Sequence, residues 1–153
     1  DEGAVLTENT AVLQFVAERF PEAKLAPTSG LQRARMQQWL GFINSELHKG
    51  IFNPLLDSTA PEGAKEYARS KVPSRFALLQ DHFATHEFAL DQFSIVDAYL
   101  TTILNWSAFS GVDLKQWPAV YDYFQRMLKR PNVARAMNEE VALYQEETRR
   151  RAS

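Results

Sequence analysis

Cysteine is missing from all 153 residues. That excludes a disulfide framework, a thiolate metal site and a cysteine nucleophile within this stretch. A dominant sign of charge is missing as well. Seventeen Lys plus Arg stand against 19 Asp plus Glu, a net charge of -2, so electrostatics give no reason to expect nucleic acid or an anionic membrane as partner. No apolar run approaches the roughly 18 residues that span a bilayer, and the chain opens on Asp1 and Glu2, with no signal-peptide pattern behind them. A soluble, cytoplasmic protein is the expectation. What the chain does have is 45% apolar and 12% aromatic residues, enough for the core of one globular domain.

The apolar residues are arranged mostly at helical spacing. Ala4, Val5 and Leu6 read as a short strand behind an acidic turn, Asp1-Glu2-Gly3. A strand needs neighbours to satisfy its backbone, and no later stretch supplies them. A helix follows from Thr7 or Glu8, with Val12, Leu13, Phe15, Val16 and Phe20 as its apolar face and Pro21 as its stop. Pro21 to Gly30 (PEAKLAPTSG) reads as a linker. Beyond it, Leu31 to Lys49 carries Met36, Trp39, Leu40, Ile43 and Leu47 at helical spacing, with Gly50 as the expected stop. Phe52 to Pro61 reads as a loop. Glu62 to about Thr85 reads as a helix with Tyr67, Lys71, Phe76, Leu79 and Phe83 on one side, kinked or divided at Pro73.

DQFSIVDAYLTTILNWSAF carries the clearest local signal. Ser94 suits an N-cap, and Asp97 stands three residues on, where a carboxylate reaches back to the cap's own amide. The helix behind it, Ile95 to Phe109, is apolar on nearly every side, the mark of a buried central helix. Trp117-Pro118 opens another, faced by Val120, Tyr121, Phe124 and Leu128, and Pro131 a last one with Val133, Ala136 and Met137. The fold class is therefore an all-α helical bundle preceded by a strand–helix remnant.

This order resembles the glutathione S-transferases, which join a thioredoxin-like domain to an all-helical one. LTENTAVLQFVAERFP is similar to the last strand and helix of the thioredoxin-like domain, and FSIVDAYL to the start of the family's central helix. WLGFINSELHKGIFNPLL resembles the bacterial beta class, and KRPNVARAM the family's last helix start. The resemblance implies residues 1–20 as a thioredoxin-like remnant, 21–30 as linker and 31–153 as the helical domain. It also implies that the upstream strands of that first domain, with the beta-class cysteine beside the glutathione sulfur, lie outside this sequence.

Glu8 and Asn9 stand where a helix offers free amides and a positive dipole end to an anion. The resemblance gives them the γ-glutamyl end of glutathione; by themselves they read as capping. His48 and Lys49 read as cations closing a helix, with Glu46 at the surface or an interface. The resemblance instead turns His48 toward the glutathione sulfur as the catalytic hydrogen-bond donor, with Ser45 on the same face. Gly41 departs from the asparagine common there. Ile51 and Trp106 would line the pocket of a small hydrophobic electrophile, although an aromatic on a buried helix is more often core. Ser94 and Asp97 are read as a structural cap. His82 and His86 stand i, i+4, but no third ligand follows them in a known pattern, so no metal is expected.

The implied activity is conjugation of glutathione, as co-substrate, to a small electrophile, or thiol–disulfide exchange, in a homodimer. The alternative is a non-catalytic, transferase-like protein-interaction module. These 153 residues alone are expected to be mostly helical, to conjugate nothing and to bind glutathione without saturation below millimolar concentration.

Overall fold

The computed structural model describes residues 3–152, so Asp1 and Glu2 of the expected acidic turn lie outside it. Helix α1 spans Asn9–Arg19, and α2 (Gly30–Phe42) runs without a break into a π-helical stretch, Ile43–Phe52, and then α3, Asn53–Leu56. There follow α4 (Glu62–Phe83), α5 (Ile95–Asn105), α6 (Ser107–Ser110), α7 (Pro118–Leu128) and α8 (Pro131–Ala152). No strand occurs among the described residues. The strand read at Ala4–Leu6 does not form: these residues have no regular structure, because no neighbouring strand is there to bond them.

The core gathers around α5. Ile95, Val96, Tyr99, Leu100, Ile103 and Leu104 are all buried, facing the π-helical stretch, α2 and α7. Apolar residues on every side leave this helix no wet face, so it takes the centre. Helix α4 packs on α7 and the π-helical stretch. Across that seam, Phe83 stacks on Tyr123 with centroids 3.8 Å apart. The segment between α1 and α2 is tied down, not loose: Ile95 N donates to Leu25 O at 2.9 Å, and Gln92 Nε2 donates to Lys24 O at 2.8 Å.

Four further expectations are corrected. Gly50 does not stop its helix; it sits inside the π-helical stretch, where a Cβ would fall 2.8 Å from Ser45 O. Glycine is required there because the backbone five residues back comes too close for a side chain. Consequently the expected loop at Phe52 begins later: Phe52 is fully buried, and the chain stays helical to Leu56. Pro73 does not divide α4. It removes one N–H from the ladder, but Val72 and Phe76 beside it are buried and hold the turn in place. Finally, α1 keeps only Ala17 fully buried, with Leu13 packed on the core, while Phe15, Val16 and Phe20 are exposed.

Candidate functional site

Two polar clusters hang from α5, and the sequence placed residues in both. The first is its cap. Ser94 Oγ accepts from Val96 N at 3.2 Å, and Asp97 Oδ2 accepts from Ser94 N at 2.9 Å, the reciprocal pair expected. The structure adds partners from farther along the chain: Asp97 Oδ1 accepts from Ala89 N and from the Tyr123 hydroxyl, both at 2.9 Å. Asp97 is wholly buried, and burial pushes its pKa up against the pull of these bonds. Every oxygen is in use. A carboxylate so enclosed fixes structure and is closed to substrate.

The second cluster lies two residues on, at Tyr99. The Tyr99 hydroxyl is 2.7 Å from His48 Nδ1 and donates to Asn44 Oδ1 at 3.2 Å. A hydrogen bond from the Asn9 side chain lowers the hydroxyl's pKa, opposing the stronger rise caused by burial. The start of α1, the π-helical stretch and α5 thus converge on one oxygen. Trp106 stands edge-on to the His48 ring, centroids 4.9 Å apart, and also reaches Phe52 at 6.4 Å. His48 is half-buried; its pKa lies below the ordinary value, chiefly through burial and then through Lys49. Its Nε2 has no partner among the described residues and is not enclosed, so it opens to solvent.

His48 and Lys49 do not close a helix, so the dipole role proposed for them from sequence is unavailable. The chain continues through them, and Asn53 N donates to His48 O, an i→i+5 bond of the π-helical kind. Both i, i+3 and i, i+4 pairs can share a helix face; here it is Asn44, four before His48, that shares the Tyr99 hydroxyl with it. Ser45 is exposed, and its hydroxyl donates back to Gly41 O at 2.9 Å.

Glu8 is the N-cap of α1 with φ 67, and its carbonyl accepts from Ala11 N and Val12 N. A non-glycine residue at such a φ carries strain that local structure must hold. Its side chain makes no cap bond and is exposed. Ile51, expected along the electrophile pocket, is fully buried and offers no surface to one. Glu46 is not simply surface: Arg75 Nε and Nη2 both donate to its Oε2, at 2.8 and 2.7 Å, tying α4 to the π-helical stretch.

His82 and His86 stack in parallel at 4.3 Å and bond to the chain: His82 Nε2 to Phe88 O, His86 Nδ1 to His82 O and the Thr85 hydroxyl. Sequence reasoning missed Asn44, Tyr99 and Tyr123. The available signal was a tyrosine hydroxyl on an otherwise apolar, buried face, which must find a partner.

The family model for the glutathione S-transferase C-terminal domain matches residues 37–131. Glutathione S-transferase GstA of Escherichia coli O157:H7 is 33% identical over 142 residues, covering 92% of this chain and 70% of the relative. A beta class glutathione S-transferase structure from Sphingomonas chungbukensis aligns at TM-score 0.85 and 36% identity, over 92% of this chain and 70% of its own. A sphingomonad glutathione S-transferase complexed with glutathione aligns at TM-score 0.84 and 37% identity, with the same two coverages of 92% and 70%.

Proposed function

Since the chain belongs to the glutathione S-transferase family, we propose that the face holding Asn9, Asn44, His48 and Trp106 forms part of a glutathione site. The observation that carries this reading is the 2.7 Å contact of His48 Nδ1 with the Tyr99 hydroxyl, across 51 residues, with the Asn9 side chain beside the same oxygen. In this reading the free amides at the start of α1 and the strained cap at Glu8 take the γ-glutamyl end of the tripeptide. His48 faces the sulfur. Ser45, already bonded to its own helix, contributes at most a second bond from its hydroxyl.

The reaction proposed is conjugation. The thiol loses its proton, the thiolate attacks an electrophilic carbon, and a carbon–sulfur bond forms as the leaving group departs or the adduct is protonated. A small hydrophobic electrophile would lie against Trp106, the aromatic beside His48 that keeps some exposure. The apolar side chains left bare at Val5, Leu6, Phe15, Val16 and Phe20 form a surface that further protein would cover. We assign them to contact with a thioredoxin-like part, residues 1–20 counting as its last element, 21–30 as linker and 31–153 as the helical domain. A homodimer in the cytoplasm belongs to the same reading. No helix among the described residues is long and apolar enough to cross a membrane.

The test is calorimetric titration of the complete gene product with glutathione, beside a conjugation assay with a standard electrophile. Saturable heat and turnover are expected. These 153 residues alone are expected to show neither below millimolar glutathione. A complete product that neither binds glutathione nor conjugates would overturn the proposal.

A further inference from the structure

His48 has two ring nitrogens, and the chemistry it can do depends on which one carries the proton. The surroundings of Tyr99 decide this. A tyrosine hydroxyl has one proton to give and room to accept two. Two groups bond to it here, with the Asn9 side chain close by: Asn44 Oδ1 accepts at 3.2 Å, and His48 Nδ1 lies at 2.7 Å. With the single proton committed to Asn44, the remaining short contact is satisfied only if His48 donates. The Nδ1–H of His48 therefore points at the Tyr99 oxygen.

We infer that Tyr99 is a positioning residue of this site: held by Asn44, its hydroxyl fixes His48 as the Nδ1–H tautomer and leaves Nε2 bare, as the nitrogen that receives the thiol proton of glutathione. In that step the S–H bond breaks and an Nε2–H bond forms. Thiolate and imidazolium are left facing one another, and the imidazolium later returns the proton to water. His48 is thus an acceptor first, and a donor to the thiolate only once protonated. Burial of the ring and the charge of Lys49, which both disfavour the imidazolium before glutathione binds, agree with this order. The inference rests on the glutathione reading for its substrate but not for its geometry.

The test needs no glutathione. Two-bond nitrogen–proton correlation spectra of the histidine-labelled protein, recorded above the histidine titration, report the tautomer of each ring directly. His48 is expected to show a protonated Nδ1 and a bare Nε2. Tyr99→Phe keeps the ring but removes the oxygen, and should move the Nε2 resonance toward the protonated position. Asn44→Ala frees the Tyr99 proton to point at His48 and should drive the same shift further, to the Nε2–H form.

Unchanged His82 and His86 signals and an unchanged circular dichroism spectrum establish that each variant is folded. If Tyr99→Phe does not fold, Asn44→Ala decides alone, since Asn44 is only half-buried. A wild-type His48 found as the Nε2–H tautomer overturns the inference. So does a bare Nε2 that stays bare in the folded variants. The expected tautomer together with no glutathione binding by the complete product would instead sink the glutathione reading and leave the relay standing.

Discussion

Asp97 and Tyr99 stand two residues apart on the same helix, and each anchors a polar cluster in an apolar core. They differ in whether anything is left over. Asp97 is wholly buried and accepts from Ala89 N, Ser94 N, Ser94 Oγ and Tyr123 Oη. The Tyr99 cluster ends instead in a half-buried imidazole with one nitrogen tied and the other open. Both obey the rule that buried polar groups find partners. A satisfied network rigidifies; one with an open end at the surface keeps a group for chemistry. The contrast separates an aspartate whose bonds are all internal from a histidine with one ring nitrogen left open.

The largest effect that would break this contrast is expected at Asp97. Asp97→Ala leaves four buried donors without their acceptor, and each such loss costs about 1–3 kcal/mol. The denaturant midpoint should fall by the equivalent of at least about 3 kcal/mol; a small change would mean that the cap cluster is no more structural than its neighbour. His48→Ala should do the reverse. Stability should hardly move, while turnover by the complete gene product falls roughly tenfold to a hundredfold, the worth of one hydrogen bond to a charged group at about 1.5–3 kcal/mol. Wild-type turnover in that variant would leave the ring as packing against Trp106.

A smaller effect is expected at Ser94. Ser94→Ala removes one side of the reciprocal cap and should cost about 1 kcal/mol of stability, lowering soluble yield before specific activity. Unmoved midpoints would contradict it.

The smallest effect is in pH dependence. His48 and His82 both have pKa values lowered from 6.5, chiefly by burial, so the unfolded chain binds their protons more readily than the folded one. Their contribution to stability is full above 6.5 and is lost as pH falls through the lowered folded values. Asp97, raised from 3.8 by burial, has the opposite sign: its contribution is full below that value and declines as pH rises through the folded one. Thermal midpoints of His82→Gln, followed from neutral pH downward, should lose part of the acid slope. A variant with the wild-type slope would show that the stacked pair carries none of it.

The parts of the fold legible in the sequence were those set by neighbours along the chain. Ser94 and Asp97 form their cap because a three-residue spacing is enough to specify it, and α5 takes the centre because its residues are apolar all round. Position 118 and position 131, both proline, open α7 and α8 as expected. The face of α7 was partly legible: Val120 and Phe124 are buried, Tyr121 and Leu128 pack on the core in part, and Tyr123 and Met127, also buried, were not read. Distance along the chain hid the rest. Tyr123 reaches Asp97 across 26 residues and Tyr99 reaches His48 across 51, separations that no local pattern encodes. Asn44 stands at α-helical spacing from His48 just as Ser45 does; what singles it out is Tyr99, 55 residues away. Gly50, read as a stop, was the trace of the π-helical register in the sequence.

By the proposed function, the open end of the Tyr99 cluster meets glutathione. Nitrogen–proton correlation spectra of the labelled chain, titrated with glutathione, test it most directly. Shifts are expected to concentrate at Asn9, Asn44, His48 and the Trp106 indole and to grow without saturation below millimolar ligand, while Ser94, Asp97 and Tyr123 stay still. Shifts centred on the Asp97 cluster or along α8, or none at Asn9 and His48 at far higher glutathione, would contradict it.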